Sequence, residues 1–147
     1  MANAANIFDK TETEKIVTTI RVAESKTSGE IRVHVENNCK INPLDRAVSI
    51  FESLEMHKTE KRTGVLIYLA VKDHKFSIIG DKGINDVVAK DFWESIKDRM
   101  KDSFKDGRFV DGVCYAIAET GRKLQQHFPF EKGDINELPD DISYEVD

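Results

Sequence analysis

Residues 64–71 read Gly-Val-Leu-Ile-Tyr-Leu-Ala-Val, an uncharged run rich in β-branched and aromatic side chains. It is far shorter than the roughly 20 residues that span a bilayer, and its composition favours a strand over a helix. No polar residue alternates with the apolar ones, so both faces of this strand must be covered. A polar turn follows at Lys72-Asp73-His74-Lys75, and Phe76-Ser77-Ile78-Ile79 returns as a second strand. That strand runs into Gly80-Asp81-Lys82-Gly83, a loop that sets one carboxylate between two glycines.

The flanking sequence supplies the covering helices. Thr11 and Glu14 have capping-box spacing, and Ile16, Ile20 and Ala23 then share one helical face to about Lys26. Ser28-Gly29 stops that helix. Residues 30–36 alternate strictly, with Ile31, Val33 and Val35 on one side and Glu30, Arg32, His34 and Glu36 on the other, which predicts a half-buried strand. Asn42 and Pro43 have the residue types of a helix cap and first turn. Leu44, Ala47, Val48, Phe51 and Leu54 continue as an apolar stripe. Val87, Val88, Phe92, Ile96, Met100 and Phe104 mark a further helical segment, with Trp93 beside it, broken at Asp106-Gly107-Arg108. Val113, Ala116, Ile117, Thr120 and Leu124 mark a last helix that ends before Pro129.

The order is α-β-α-β-β-α-α. The first two strands are joined by a helix, which predicts a right-handed parallel crossover, and the hairpin makes the third strand antiparallel. The expected fold is α/β, a three-layer α/β/α sandwich around a small mixed sheet.

A length of 147 residues suits one domain with a real core. The net charge is −5, but residues 129–147 hold seven acids against Lys132 alone, so the rest of the chain carries +1. A near-neutral body lacks the concentrated basic surface that nucleic acid requires. The acidic tail reads as partly disordered, or docked through Leu138, Ile142, Tyr144 and Val146. No segment suggests membrane insertion or a secretory signal, which predicts a cytoplasmic protein. Cys39 and Cys114 lack zinc-site spacing and read as ordinary thiols.

The topology brings polar residues to one end of the sheet. The first two strands start there and the third ends there, so Glu30, Arg62, Thr63, Asp81 and Asp86 are expected to gather, with Asp111 within reach. Met56-His57-Lys58-Thr59 leads into the same end. Carboxylates with one Arg and hydroxyls are hard oxygen donors, which suit Mg²⁺ or Ca²⁺ better than zinc or copper. Each has a plainer role open to it. Asp81 can shape its own turn, Glu30 and Arg62 can form ion pairs, and Asp86 and Asp111 can cap helices. His34 reads as a hydrogen-bonded residue between layers, and His57 and His74 as exposed loop residues. The opposite end of the sheet, outside the carboxyl ends of the parallel strands, is the usual ligand position in open α/β sheets. It carries Glu36, Asn37, Asn38, Asp73 and His74, and the two ends stay open as alternatives.

Six segments together resemble the TPM domain, found in photosystem-II-repair proteins of the thylakoid lumen and in many bacterial proteins. They are SGEIRVHVE (28–36), LEMHKTEKRTGVLIYLA (54–70), FSIIGDKGI (76–84), DFWESI (91–96), GRFVDGV (107–113) and NELPDDIS (136–143). The last is similar to a bacterial cytosolic branch. The resemblance implies a single TPM-like domain over residues 1–128, with residues 129–147 as the tail, and an α/β/α sandwich. It also implies divalent-cation binding, as in some members, and an acid phosphatase activity, as in a plant member. By position it points to Asp81 and Glu30, then to Arg62 and Asp86. The DxDxT and Cys-x5-Arg patterns of well-understood phosphatases are absent. The leading expectation is a domain that binds Ca²⁺ or Mg²⁺ through Asp81, Glu30, Asp86 and Asp111. The alternatives are a weak metal-dependent phosphomonoesterase, with Asp81 and Arg62 as catalytic candidates, and a structural module for an unidentified protein partner.

Overall fold

A computed structural model describes residues 7–131 and 142–144. Strand β2 (Gly64–Ala70) is buried at every position. It pairs in parallel with β1 (Glu30–Glu36), Glu30 opposite Gly64 and Glu36 opposite Ala70. On its other side it pairs antiparallel with β3 (Lys75–Gly80), Val65 opposite Gly80 and Ala70 opposite Lys75. A two-residue strand, β4 (Ser143–Tyr144), lies parallel to β1, giving the order β3-β2-β1-β4.

Side-chain alternation divides the core between two faces. Ile31, Val33, Val35, Val65, Ile67 and Leu69 pack with α1 (Lys10–Glu24), α4 (Phe92–Lys105) and α5 (Phe109–His127) through residues such as Ile16, Ile20, Ile96, Met100, Val113 and Ile117. On the other face, Leu66, Tyr68 and Ala70 meet Ala47, Ile50 and Phe51 of α2 (Pro43–Ser53), with Met56 from a 3₁₀ turn (Met56–Lys58). The result is the expected three-layer sandwich around a mixed sheet. Among the described residues, no helix is long and apolar enough to cross a membrane. Cys39 and Cys114 are free thiols.

Local details differ from the sequence reading in three places. Helix α1 starts two residues earlier than Thr11 and Glu14 imply. Asp9 accepts from the Glu12 N–H at 2.7 Å, and the Glu12 carboxylate accepts from the Asp9 N–H at 3.0 Å. The same four-residue spacing occurs twice in succession, and Asp is the stronger cap. Next, the helical segment expected from Val87 onward starts later in the chain. A one-turn helix, α3 (Lys82–Asn85), follows Asp81 directly, and α4 begins only at Phe92. The β-branched pair Val87-Val88 lies between them. Finally, β4 was not expected from the sequence: Ile142 is buried, Ser143 and Tyr144 join the β1 edge, and Leu138 and Val146 lie outside the described residues.

Glycine 83 fastens two loops together. Its N–H donates to the Arg62 carbonyl at 2.8 Å. A Cβ there would stand 2.2 Å from the Lys61 carbonyl oxygen and 2.6 Å from that of Arg62. Main chain cannot give way as a side-chain tip can. Gly83→Ala is therefore expected to destabilise the fold by about 1–3 kcal/mol, the usual range for overpacking. Scanning calorimetry would show this as a Tm lowered by several degrees.

Candidate functional site

Asp81 directly follows β3 and caps α3. Its side chain is 6% exposed. Arg62 grips it with two parallel hydrogen bonds, Nε to Oδ2 at 2.7 Å and Nη2 to Oδ1 at 2.8 Å. Oδ1 also accepts from the Lys82 N–H at 2.7 Å. Such a bidentate guanidinium–carboxylate fork fixes orientation as well as charge. Arg62 itself holds φ at +56°, left-handed backbone that a side chain of this size rarely adopts. The N–H of Arg62 donates to the Thr59 carbonyl at 3.2 Å while its own carbonyl takes the Gly83 N–H. Side chain and main chain thus hold residues 59–63 against the Asp81 loop.

Behind the loop, the Asn85 amide donates to the Gly80 carbonyl at 2.7 Å and accepts from the Trp93 indole N–H at 2.8 Å. Gly80 has no room for a Cβ, which would fall 2.6 Å from both Ile84 and Trp93. In front of the loop is an open cleft of ≈520 Å³. Val48, Phe51 and Ile79 form its apolar wall, and Glu52, His57, Arg62 and Asp81 its polar one. The His57 Nδ1 is buried and has no hydrogen-bond partner among the described residues.

Four of the expected residues, Glu30, Arg62, Thr63 and Asp81, lie together at this end of the sheet. Glu30 is buried at the start of β1, opposite Gly64, and the Gly64 carbonyl accepts from the Asp81 N–H at 2.8 Å. Thr63, also buried, accepts at its carbonyl from the Glu30 N–H at 3.3 Å. Asp86 is exposed at the C-terminal cap of α3. Asp111 is exposed in the first turn of α5, where it pairs with Lys15 at 3.7 Å and Arg108 at 3.2 Å. Among the described residues, no three of His, Cys, Asp and Glu form a group that could hold a metal ion. Sequence reasoning missed Glu52 and placed His57 in an exposed loop, whereas His57 is half-buried against the cleft. The parallel crossover carries the signal for both: α2 must end, and its connection must run, at the end where β2 begins.

At the opposite end the expected oxygen donors are engaged within the fold. Glu36 is buried; Arg46 donates to both its oxygens and the Tyr68 hydroxyl donates to Oε2 at 2.7 Å. Asp73 accepts from the Cys39 N–H at 2.6 Å and from the Asn38 amide at 3.1 Å. The Asn37 carbonyl accepts from the Lys72 N–H at 2.8 Å. His34 does link layers, with Nδ1 2.8 Å from the Ser143 hydroxyl and Nε2 3.4 Å from Glu36. Burial depresses the His34 pKa below its ordinary 6.5, against the opposing pull of Glu36. Burial pushes Glu36 up, but the hydrogen bonds from Arg46 and Tyr68 outweigh it and hold the carboxyl below its ordinary 4.5. Tyr68 is pushed upward by burial and by Glu36.

The TPM domain family profile matches residues 1–123. Among solved structures, the BA42 protein of the psychrophilic bacterium Bizionia argentinensis shares 45% identity at a TM-score of 0.90, over 99% of this chain and 100% of its own. Two further structures share the fold alone. The N-terminal domain of cg2496 from Corynebacterium glutamicum has 8% identity and a TM-score of 0.64, covering 80% of this chain and 74% of that one. The N-terminal domain of a protein from P. gingivalis has 15% identity and a TM-score of 0.67, covering 86% and 84%. No curated protein matches the chain.

The buried His34 makes stability depend on pH with a definite sign. The folded protein resists protonating this ring, while the unfolded chain takes the proton at its ordinary 6.5. Stability is therefore full above that value and falls as pH drops below it, toward the lower folded pKa. Urea unfolding is expected to lose up to about 1 kcal/mol from this group between about pH 7.5 and 5.5. His34→Gln should flatten that part of the slope.

Proposed function

The chain belongs to the TPM domain family, and on that premise we propose that the cleft floored by Asp81 binds a divalent cation, Mg²⁺ or Ca²⁺. The observation that carries the reading is that two carboxylates, Asp81 and Glu52, line one open cleft. Mg²⁺ is commonly held by one or two carboxylates and keeps several waters, so a third protein ligand is not required. Asp81 fits this role. A carboxylate offers about four acceptor positions, and Arg62 and Lys82 occupy three of them, leaving one on Oδ2. Glu30, buried opposite Gly64, does not line the cleft. Asp86 and Asp111, exposed at a helix cap and in surface ion pairs, stand outside this reading. With so few charged ligands the affinity belongs at about 10⁻⁴–10⁻³ M, the weak end of the range.

A second reading, hydrolysis of phosphomonoesters, is favoured by Arg62 and by the unpartnered His57 nitrogen in the same cleft. A bound metal there would polarise a phosphoryl oxygen and acidify a water. Arg62 would meet the charge that develops on the phosphoryl group. Among the described residues, the lining offers no hydroxyl or thiol nucleophile, so attack would fall to water.

Arg62 separates the two readings, because a cation competes with it for Asp81. Backbone amide shifts during Ca²⁺ and Mg²⁺ titration should saturate at Glu52, Arg62, Asp81 and Gly83. Asp81→Asn should abolish that response; an undiminished response in this variant would sink cation binding here. Arg62→Gln should tighten the cation about three- to tenfold by freeing both oxygens. If the cleft also hydrolyses phosphomonoesters, the same Arg62→Gln change should lower Mg²⁺-dependent turnover of p-nitrophenyl phosphate while binding improves.

A further inference from the structure

A second cavity, of ≈410 Å³, opens at the other end of the sheet, where β2 ends at Leu69, Ala70 and Val71. Its volume lies in the ordinary range for small-molecule pockets. It sits outside the carboxyl end of a parallel strand, the usual ligand position in this class of sheet. Three half-buried rings line it: Phe76 from β3, Phe104 from α4 and Phe109 from α5. Phe104 meets Phe76 edge-on at 5.1 Å and stacks on Phe109 at 5.3 Å. The mouth is kept open by Gly107, with φ at +74° and, among the described residues, no atom within 4 Å of where a Cβ would be.

The polar part of this pocket has one sign. Lys75, Lys101 and Lys105 line it with His74, and among the described residues no carboxylate does. Lys75 is held by the Cys39 carbonyl at 3.1 Å. Lys101 and Lys105 are exposed one turn apart on α4, and neither forms an ion pair among the described residues. Like charges at that spacing repel, which weakens a helix unless an anion lies between them. The combination is a carbon-lined slot with two unneutralised ammonium groups at its edge.

We propose that this pocket binds a medium-chain aliphatic carboxylate, with the chain against the phenylalanine rings and the carboxylate between Lys101 and Lys105. The site is independent of the Asp81 cleft, which lies at the opposite end of β3. Lysines act here as point charges and need no fixed fork of donors. An aliphatic chain matches the phenylalanine part of the lining, which offers it no hydrogen bond.

The test uses the full, isotope-labelled chain and two probes, sodium octanoate and its uncharged isostere octanamide. Octanoate is expected to give saturable shifts at Phe76, Lys101, Phe104 and Phe109 with a midpoint of about 1 mM or below. Octanamide should bind at least about tenfold more weakly. Because a truncated Phe104 risks the fold, the variant is Lys101→Glu with Lys105→Glu, both on the exposed face of α4. It should weaken octanoate by a similar factor and leave octanamide unchanged. Absent or diffuse shifts, shifts confined to the Asp81 cleft, or equal binding of the two probes would each overturn the proposal.

Discussion

Burial of β2 on both faces is the constraint from which the remaining architecture follows. A strand with no polar side to turn to water needs a helical layer above and below it. The chain meets that need with α2 on one face and α1, α4 and α5 on the other. The helix between β1 and β2 makes those strands parallel, and the short turn at residues 71–74 makes β3 antiparallel. These two connections decide which chain segments meet at each end of the sheet. The polar groups at either end are a by-product of how the apolar strand is covered.

The two ends use their polar groups differently. At one end, Glu36 is ringed by Arg46, Tyr68 and His34. Ionisable groups removed from water in this way must be matched closely, because an unmatched one is heavily penalised. At the other end, Asp81 is almost as buried, yet its partner Arg62 is half exposed and borders an open cleft. The first arrangement joins layers. The second keeps a charged pair at a solvent boundary, where another ion or an anionic group can compete for it.

Much of the fold was legible because it rests on period and on strong punctuation. The apolar run from Gly64 and the Asn42-Pro43 start produced the elements they imply. The alternation of residues 30–36 produced a strand, but one buried on both faces except at Arg32 rather than half-buried, because Arg46 of α2 and Ser143 cover Glu36 and His34. Boundaries were less legible where two signals competed, as with the successive capping boxes at Asp9 and Thr11. The site was readable only to the level of the sheet ends. Topology placed Glu30, Arg62 and Asp81 together, but it carries no information on which way a surface helix turns. Glu52 entered the cleft unseen for that reason, and Asp111 turned instead to Lys15 and Arg108. β4 was illegible because two residues are too few to show a period; their place is set by Ile142 in the core and by the Ser143 hydroxyl at His34.

That short strand has a further consequence. Without it, β1 would present a free row of main-chain donors and acceptors at the sheet margin, a template on which another extended chain can grow. Ser143 and Tyr144 sit over His34 and Val35, the middle of that row. Four of the eight residues from Asp140 to Asp147 are acids and none is basic, and like charges discourage the same segment of a second molecule from approaching. Ser143 and Tyr144 thus close the middle of the margin sterically, and acidic neighbours in the sequence are the kind of charge that disfavours edge-to-edge pairing.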